Sequence, residues 1–389
     1  MKKYMRIAGA AVAALAIATI PAMSASATSA ITQSKVITSD FGSQYSSVQS
    51  ADGNIQVILD NSKSQVLFAY ADSETVVTVS DPGSAFSSPW DAAFTPDGTK
   101  LYVSDYGNDV VIVDVASASV ESVISSPDLN QCTENMPIGV SPDGKYLVIG
   151  DGCYDVYVYD IANNYAQVGT EFNANASPID IFFPNSTTAY AALADGSIAV
   201  VDLASGSLTN QWAGNNSSDG ACANADATVV AIVPSGDPYF DLQFFNPATG
   251  DLLGEADLSA SADFSSGKSC AFTGEGKVLV TDWSASPAVM YVVNASTYAY
   301  EETVSVDLGT SPDGDPYSDS INVMKGCKAF VTGYYGNIGV MTLPSDYCPA
   351  ALPDTGASAS VIGTSIALSA GLVVAGAIAL IVVRRRQHS

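Results

Sequence analysis

Histidine and arginine are missing from residues 28–355. The one histidine, His388, and all four arginines lie in the two end segments. A body without histidine cannot assemble a Ser-His-Asp or Cys-His constellation, nor a histidine metal site. Positive charge of any kind is scarce. Of the 14 Lys and Arg residues, six (Lys2, Lys3, Arg6, Arg384, Arg385 and Arg386) belong to the ends. Eight lysines remain to face all 40 acidic residues, a formal charge of −32 for the body. Phosphate backbones and anionic lipid headgroups need basic partners, so neither nucleic acid nor a membrane surface suits this body as a ligand. Charged residues are few, 14% of the 389, while 47% are hydrophobic, enough to bury a large core.

The amino end joins a basic start (Lys2, Lys3, Arg6) to an apolar run from Ile7 to Ile20 and a small-residue exit, "SASA". That order is the pattern of a secretory signal peptide, residues 1–27, cleaved after Ala27. Export permits disulfides, which governs how the six cysteines are read.

The body is a repeat. The stretch "PWDAAFTPDGTKLYVSDYGNDVVIVDVASASVESVI" at 89–124 reads as one four-stranded antiparallel unit, with period-two alternation of apolar residues and turn residues at short intervals. One such sheet cannot bury both faces, so it needs neighbours of its own kind. Third strands end in an apolar residue followed by a turn-capping one: Ser80, Asp114, Asp160, Asp202, Asn246, Asn294 and Thr342, spaced 34 to 48 residues apart. Asp or Asn suits that place because its side chain accepts backbone N–H groups of the following turn. A second marker, the turn between the first two strands, reads "TPDGTK" at 95–100 and "SPDGKY" at 141–146, then degrades to "PNSTT" at 184–188 and "TGEGK" at 273–277. Seven units predict an all-β, seven-bladed propeller of four-stranded antiparallel blades over residues 28–349. The expected blades are 44–83, 89–124, 134–172, 177–213, 220–258, 268–306 and 319–343. The segments "FTPDGTKLYVSDYGNDVVIVDVAS" and "VSPDGKYLVIGDGCYDVYVYDIAN" resemble the bacterial YVTN-type (YncE-like) β-propeller family. That resemblance implies a fold and no particular activity.

The seventh unit shows only three strands before the chain leaves it, so residues 34–41 ("SKVITSDF") are expected to supply its outer strand and remove an open edge. Six cysteines allow 15 pairings. The repeat register favours Cys132–Cys153, Cys222–Cys270 and Cys327–Cys348, each pair on one face of the ring.

Residues 350–389 form a separate tail. "LPDTG" (Leu352, Pro353, Asp354, Thr355, Gly356) precedes 23 mostly apolar residues, 361–383, and then "RRRQHS". As a helix at ~1.5 Å per residue the apolar run spans about 34 Å, enough to cross a bilayer. The order motif, helix, basic stop resembles the LPxTG sorting signal of Gram-positive surface proteins. It implies cutting by sortase between Thr355 and Gly356, covalent joining of Thr355 to peptidoglycan and loss of the helix, so the precursor is membrane-anchored and the product wall-anchored. Only Pro349, Ala350 and Ala351 separate the last cysteine from the motif, so no stalk holds the body away from the envelope. That disfavours a long-reach adhesin.

Propeller ligands gather at the channel mouth, where Trp90, Asp91, Asn135, Asp180, Asn224 and Asn322 are the candidate ligand-binding residues. Trp90 equally suits packing between blades. The paired phrases "GDPYFD" and "GDPYSD" place Asp237 with Asp241 and Asp315 with Asp319, Asp313 lying near the second pair. Clustered carboxylates suit calcium, the one cofactor expected. The function expected is a non-enzymatic binding or scaffold module for a protein, peptide or glycan. The alternatives are a metal-assisted hydrolase or lyase of the lactonase-like kind, which needs no histidine, and a structural wall component.

Overall fold

The computed structural model describes residues 31–348 apart from 43, 107–108, 126–135, 215–216, 237–239, 261–263, 275, 310–316 and 335. The expected signal peptide, the LPDTG motif and the apolar run 361–383 lie outside the described residues. Seven antiparallel sheets follow one another along the chain. In the second blade the inner strand Pro89–Phe94 pairs with Lys100–Asp105, which pairs with Asp109–Asp114, which pairs with the outer strand Ser119–Ser125. The other blades repeat this order; in the third the outer strand is split into Ala166–Gln167 and Phe172–Asn173. Each inner strand touches the inner strands of the blades before and after it, and the inner strand of the seventh touches that of the first. The ring is closed: a seven-bladed β-propeller.

The closing strand is Thr32–Thr38, antiparallel to Asn337–Thr342 with Val36 opposite Gly339 and Ile37 opposite Ile338. It gives the last blade its fourth strand. The Gln33 side chain ties it to blade six, donating to the Asp307 carbonyl at 2.6 Å and accepting from the Asp307 N–H at 2.7 Å.

Hydrophobic residues collect between blades. Seven buried clusters occupy the seven interfaces, for example Val57, Phe68, Val103 and Val111 between blades one and two, and Ile37, Leu67, Phe330 and Val340 between seven and one. Second strands are buried on both faces, whereas an outer strand such as Ala299–Ser305 alternates exposed and half-buried residues. All seven clusters lie within residues 31–348, so the body carries its own core. Close packing leaves no room at some glycines. A Cβ on Gly139 would come 2.6 Å from the Phe183 ring.

The turn markers do what their chemistry requires. Asp114 accepts from the Ser117 N–H at 2.8 Å, Asp202 from Ser205 at 2.8 Å and Asn246 from Ala248 at 3.0 Å. The marker in blade one needs correction. "VVTVS" belongs to the fourth strand, Thr75–Thr78, and the third strand, Gln65–Tyr70, ends at Tyr70. Ser80 instead forms a parallel bridge to Ser119 of the next blade. With Tyr70 in its place the short first interval disappears, because Tyr70 to Asp114 matches the other blades.

Candidate functional site

Inner strands carry the site, and a bulge aims its residues. In six of the seven blades the register between inner and second strand slips at the start of the inner strand. A bulge leaves one residue unpaired and re-aims it. In blades two, four, five, six and seven the slip leaves Trp90, Ile179, Asp219, Lys268 and Asp319 outside the ladder. All five line a central cavity of about 240 Å³, to which every inner strand contributes.

Three carboxylates are sunk into the cavity wall. Asp91 accepts from the Ile138 N–H and the Ser46 hydroxyl, both at 3.0 Å. Burial outweighs these bonds and pushes its pKa up from 3.8 to about 6. Asp180, which accepts from its neighbour Ile181 N–H at 2.8 Å, is raised further by burial and by the Asp91 charge. Asp319 is 2% exposed, and burial raises it to about 6 despite the opposing influence of Lys268 and a bond from Gln44. Its Oδ2 has no hydrogen-bond partner among the described residues. Among the described residues Lys268 is the only cation on the cavity wall. The other lysines of the body are engaged: six in ion pairs with acidic side chains, and Lys145 with the Tyr146 hydroxyl.

Short polar bonds tie each of several inner-strand segments to the neighbouring blade. Ser104 Oγ donates to the Met136 carbonyl at 2.6 Å and Thr281 Oγ1 to the Asp319 carbonyl at 3.2 Å. The Gln44 amide reaches Ser320 at 3.1 Å and also Thr332. A second set of aspartates ends the second strands and holds the loop entering the inner strand of the same blade. Asp105 accepts from the Ser87 and Ser88 N–H groups at 2.9 and 3.1 Å, and Asp282 from Ser265 N–H at 2.8 Å. The loops just past second strands carry exposed aromatics: Tyr106, Tyr154 and Trp283, 44%, 45% and 46% exposed. Tyr106 N–H bonds Ser88, and Trp283 N–H bonds Ser266, both just before inner strands. These aromatics therefore stand on the face where inner strands begin, the end at which the bulge residues enter the cavity.

Of the six candidate mouth residues, Trp90, Asp91 and Asp180 lie near that end of the cavity, at the starts of their strands. Trp90 also packs on the cluster between blades two and three. Asn224 stands past the far end of its inner strand, Ser218–Ala223, and serves the following turn, accepting from Val229 N–H at 2.8 Å. Asn322 donates to the Ser47 hydroxyl at 2.6 Å, another bond between blades. Asn135 lies outside the described residues. Of the five expected calcium ligands the described residues include Asp241 and Asp319, one from each pair. Asp237, Asp313 and Asp315 lie outside the described residues; Asp241 opens the third strand of blade five, while Asp319 is in the cavity. Among the described residues no group of three or more His, Cys, Asp or Glu is arranged to hold a metal ion.

Cys222–Cys270 joins the inner strands of blades five and six with Cα atoms 5.6 Å apart, and Cys327–Cys348 ties the last segment to the first turn of blade seven at 5.0 Å. Register places Cys222 opposite Ala231 and Cys270 opposite Val280, one step out of equivalence. Cys153 is disulfide-bonded, and Cys132 lies outside the described residues.

No protein-family model matches the chain, and no curated protein matches it. Among solved structures, hydrazine synthase from Kuenenia stuttgartiensis is similar over 78% of this chain and 96% of that one, with a TM-score of 0.61 at 17% sequence identity. That likeness is one of fold. Fold and site together define a seven-bladed β-propeller with an acidic central cavity.

Proposed function

We propose that this chain is an exported, YVTN-type (YncE-like) propeller that sortase joins to peptidoglycan through Leu352–Gly356, and that it works there as a non-enzymatic binding or scaffold module. The single observation carrying the binding reading is the central cavity. All seven inner strands wall it, and exposed Tyr106, Tyr154 and Trp283 stand on the face where those strands begin. Exposed aromatics beside a concave polar site are what a protein, peptide or glycan ligand uses. Wall attachment draws its support from the two ends of the sequence and from the three residues between Cys348 and Leu352.

The test immobilises the body, residues 28–355, and exposes it to extracts of envelope and surrounding matrix. Mass spectrometry then compares what is retained and released with the input. A component held intact and in stoichiometric amount supports the module. Consumption of a component with release of a product makes the chain an enzyme, a reading favoured by one feature, the buried carboxylates whose raised pKa values suit proton transfer. For sorting, Thr355→Ala is expected to move the protein from the wall fraction to the membrane fraction.

A further inference from the structure

Deepening that binding reading, and resting on it, the geometry points to a ligand that brings a positively charged amine or guanidinium into the cavity, between Asp319 on one wall and Asp91 and Asp180 on the other. Asp319 is the observation that demands a partner. Its side chain is buried on the cavity wall, yet Oδ2 has no hydrogen bond among the described residues. A buried carboxylate oxygen without a donor is costly, and natural structures keep such groups where something else supplies the donor. Lys268, in the corresponding place of the neighbouring blade, forms no ion pair with it among the described residues and lowers its pKa only through space.

A divalent ion does not meet the same need. It requires six or more oxygens converging at about 2–2.6 Å, and these carboxylates come from blades two, four and seven without forming such a group. An alkylammonium or guanidinium has no fixed coordination shell, needs only one or two oxygens within hydrogen-bond reach, and carries an apolar stem. Trp90, Ile179, Phe182 and Ile321 supply apolar wall for that stem. The volume of about 240 Å³ falls below the roughly 300–1,000 Å³ of pockets for drug-sized ligands and suits one long side chain or a small amine. The charge of the body, −32 and without arginine, attracts such a ligand from a distance.

The test titrates the body, residues 28–355, by calorimetry with acetyl-Gly-Lys-Gly-amide, the same peptide with Nε-acetyl-lysine, butylamine, and calcium chloride. The free-lysine peptide or butylamine is expected to bind and the acetylated peptide is not. Which of the two binds better separates a protein side chain from a free amine as source. Asp319→Asn is expected to weaken binding about tenfold or more, and Lys268→Met to strengthen it about threefold or more by removing the competing charge. Opposite signs from two variants cannot arise from misfolding. Equal binding of the acetylated peptide, or equal affinity in Asp319→Asn, overturns the inference. So does calcium binding that is lost in Asp319→Asn without any response to the amines. If the envelope component is retained by wild type and Asp319→Asn alike, the binding module stands without the cation. If no component is retained either, both readings fall.

Discussion

Replacing Asp319 by asparagine isolates what a buried charge costs this fold. Burial moves its pKa from 3.8 to about 6, and each pH unit is worth about 1.4 kcal/mol, so the ionised carboxylate costs the native state about 3 kcal/mol at neutral pH. The native state holds this proton more tightly than the unfolded chain does. Folding therefore takes up a proton between pH 3.8 and about 6, so stability falls as pH rises through that window and levels off above it. Asparagine keeps the shape and never ionises. Urea denaturation of Asp319→Asn should give stability about 2–3 kcal/mol above wild type at pH 7.5 and a difference of only about 0.5 kcal/mol at pH 4. Asp91 and Asp180 add slopes of the same sign to both proteins, so the difference between the two curves is the quantity to read. A variant that is less stable than wild type at pH 7.5, or a difference that does not change with pH, refutes the reasoning.

Other consequences can be measured in the same way. Ala227 holds a left-handed φ of 47° in the first turn of blade five, where Gly98 and Gly144 stand in blades two and three; Ala227→Gly should stabilise by about 0.5–1 kcal/mol in urea. Loss of Cys222–Cys270, which closes 48 residues, should cost up to about 4 kcal/mol, and loss of Cys327–Cys348, which closes 21, about 3, read by denaturation of the paired serine variants. Deleting residues 31–38 bares the edge of Asn337–Thr342 and removes Ile31 and Ile37 from two clusters. It should cost about 3 kcal/mol or more and yield oligomers on size-exclusion chromatography.

The ring was legible because its signals are local. A β-turn writes itself in four residues, and Asp97-Gly98 and Asp143-Gly144 announce hairpins whose glycines take φ of 68° and 70°. Where the turn is made another way the writing fades. In blade five Ala227 forms the hydrogen bond to Asn224 that Gly98 makes to Thr95, and no sequence rule marks an alanine as left-handed. In blade one, "VVTVS" mimics a third-strand ending because outer and third strands differ in burial, not in alternation. The aspartates that close second strands, Asp60, Asp105, Asp151 and Asp282, did leave a trace, an aspartate after each apolar run. What three of them do is not local in sequence: Asp60, Asp105 and Asp282 hold the loop entering their own blade's inner strand, while Asp151 holds the turn that follows it.

The site was less legible for a physical reason. Whether Asp91 or Asp180 faces the channel depends on the slip at the start of the inner strand, and period-two alternation assumes that no slip occurs. Asp219, Lys268 and Asp319 occupy the slipped place in three successive blades. A strict pattern of inward and outward residues would not have set them side by side around one axis. The fold can bear this arrangement because its stability comes from elsewhere. Seven interblade clusters, the borrowed outer strand and the disulfides surround a wall that is itself unfavourable, and a carboxylate oxygen left without a donor is the part of that wall that a ligand can complete.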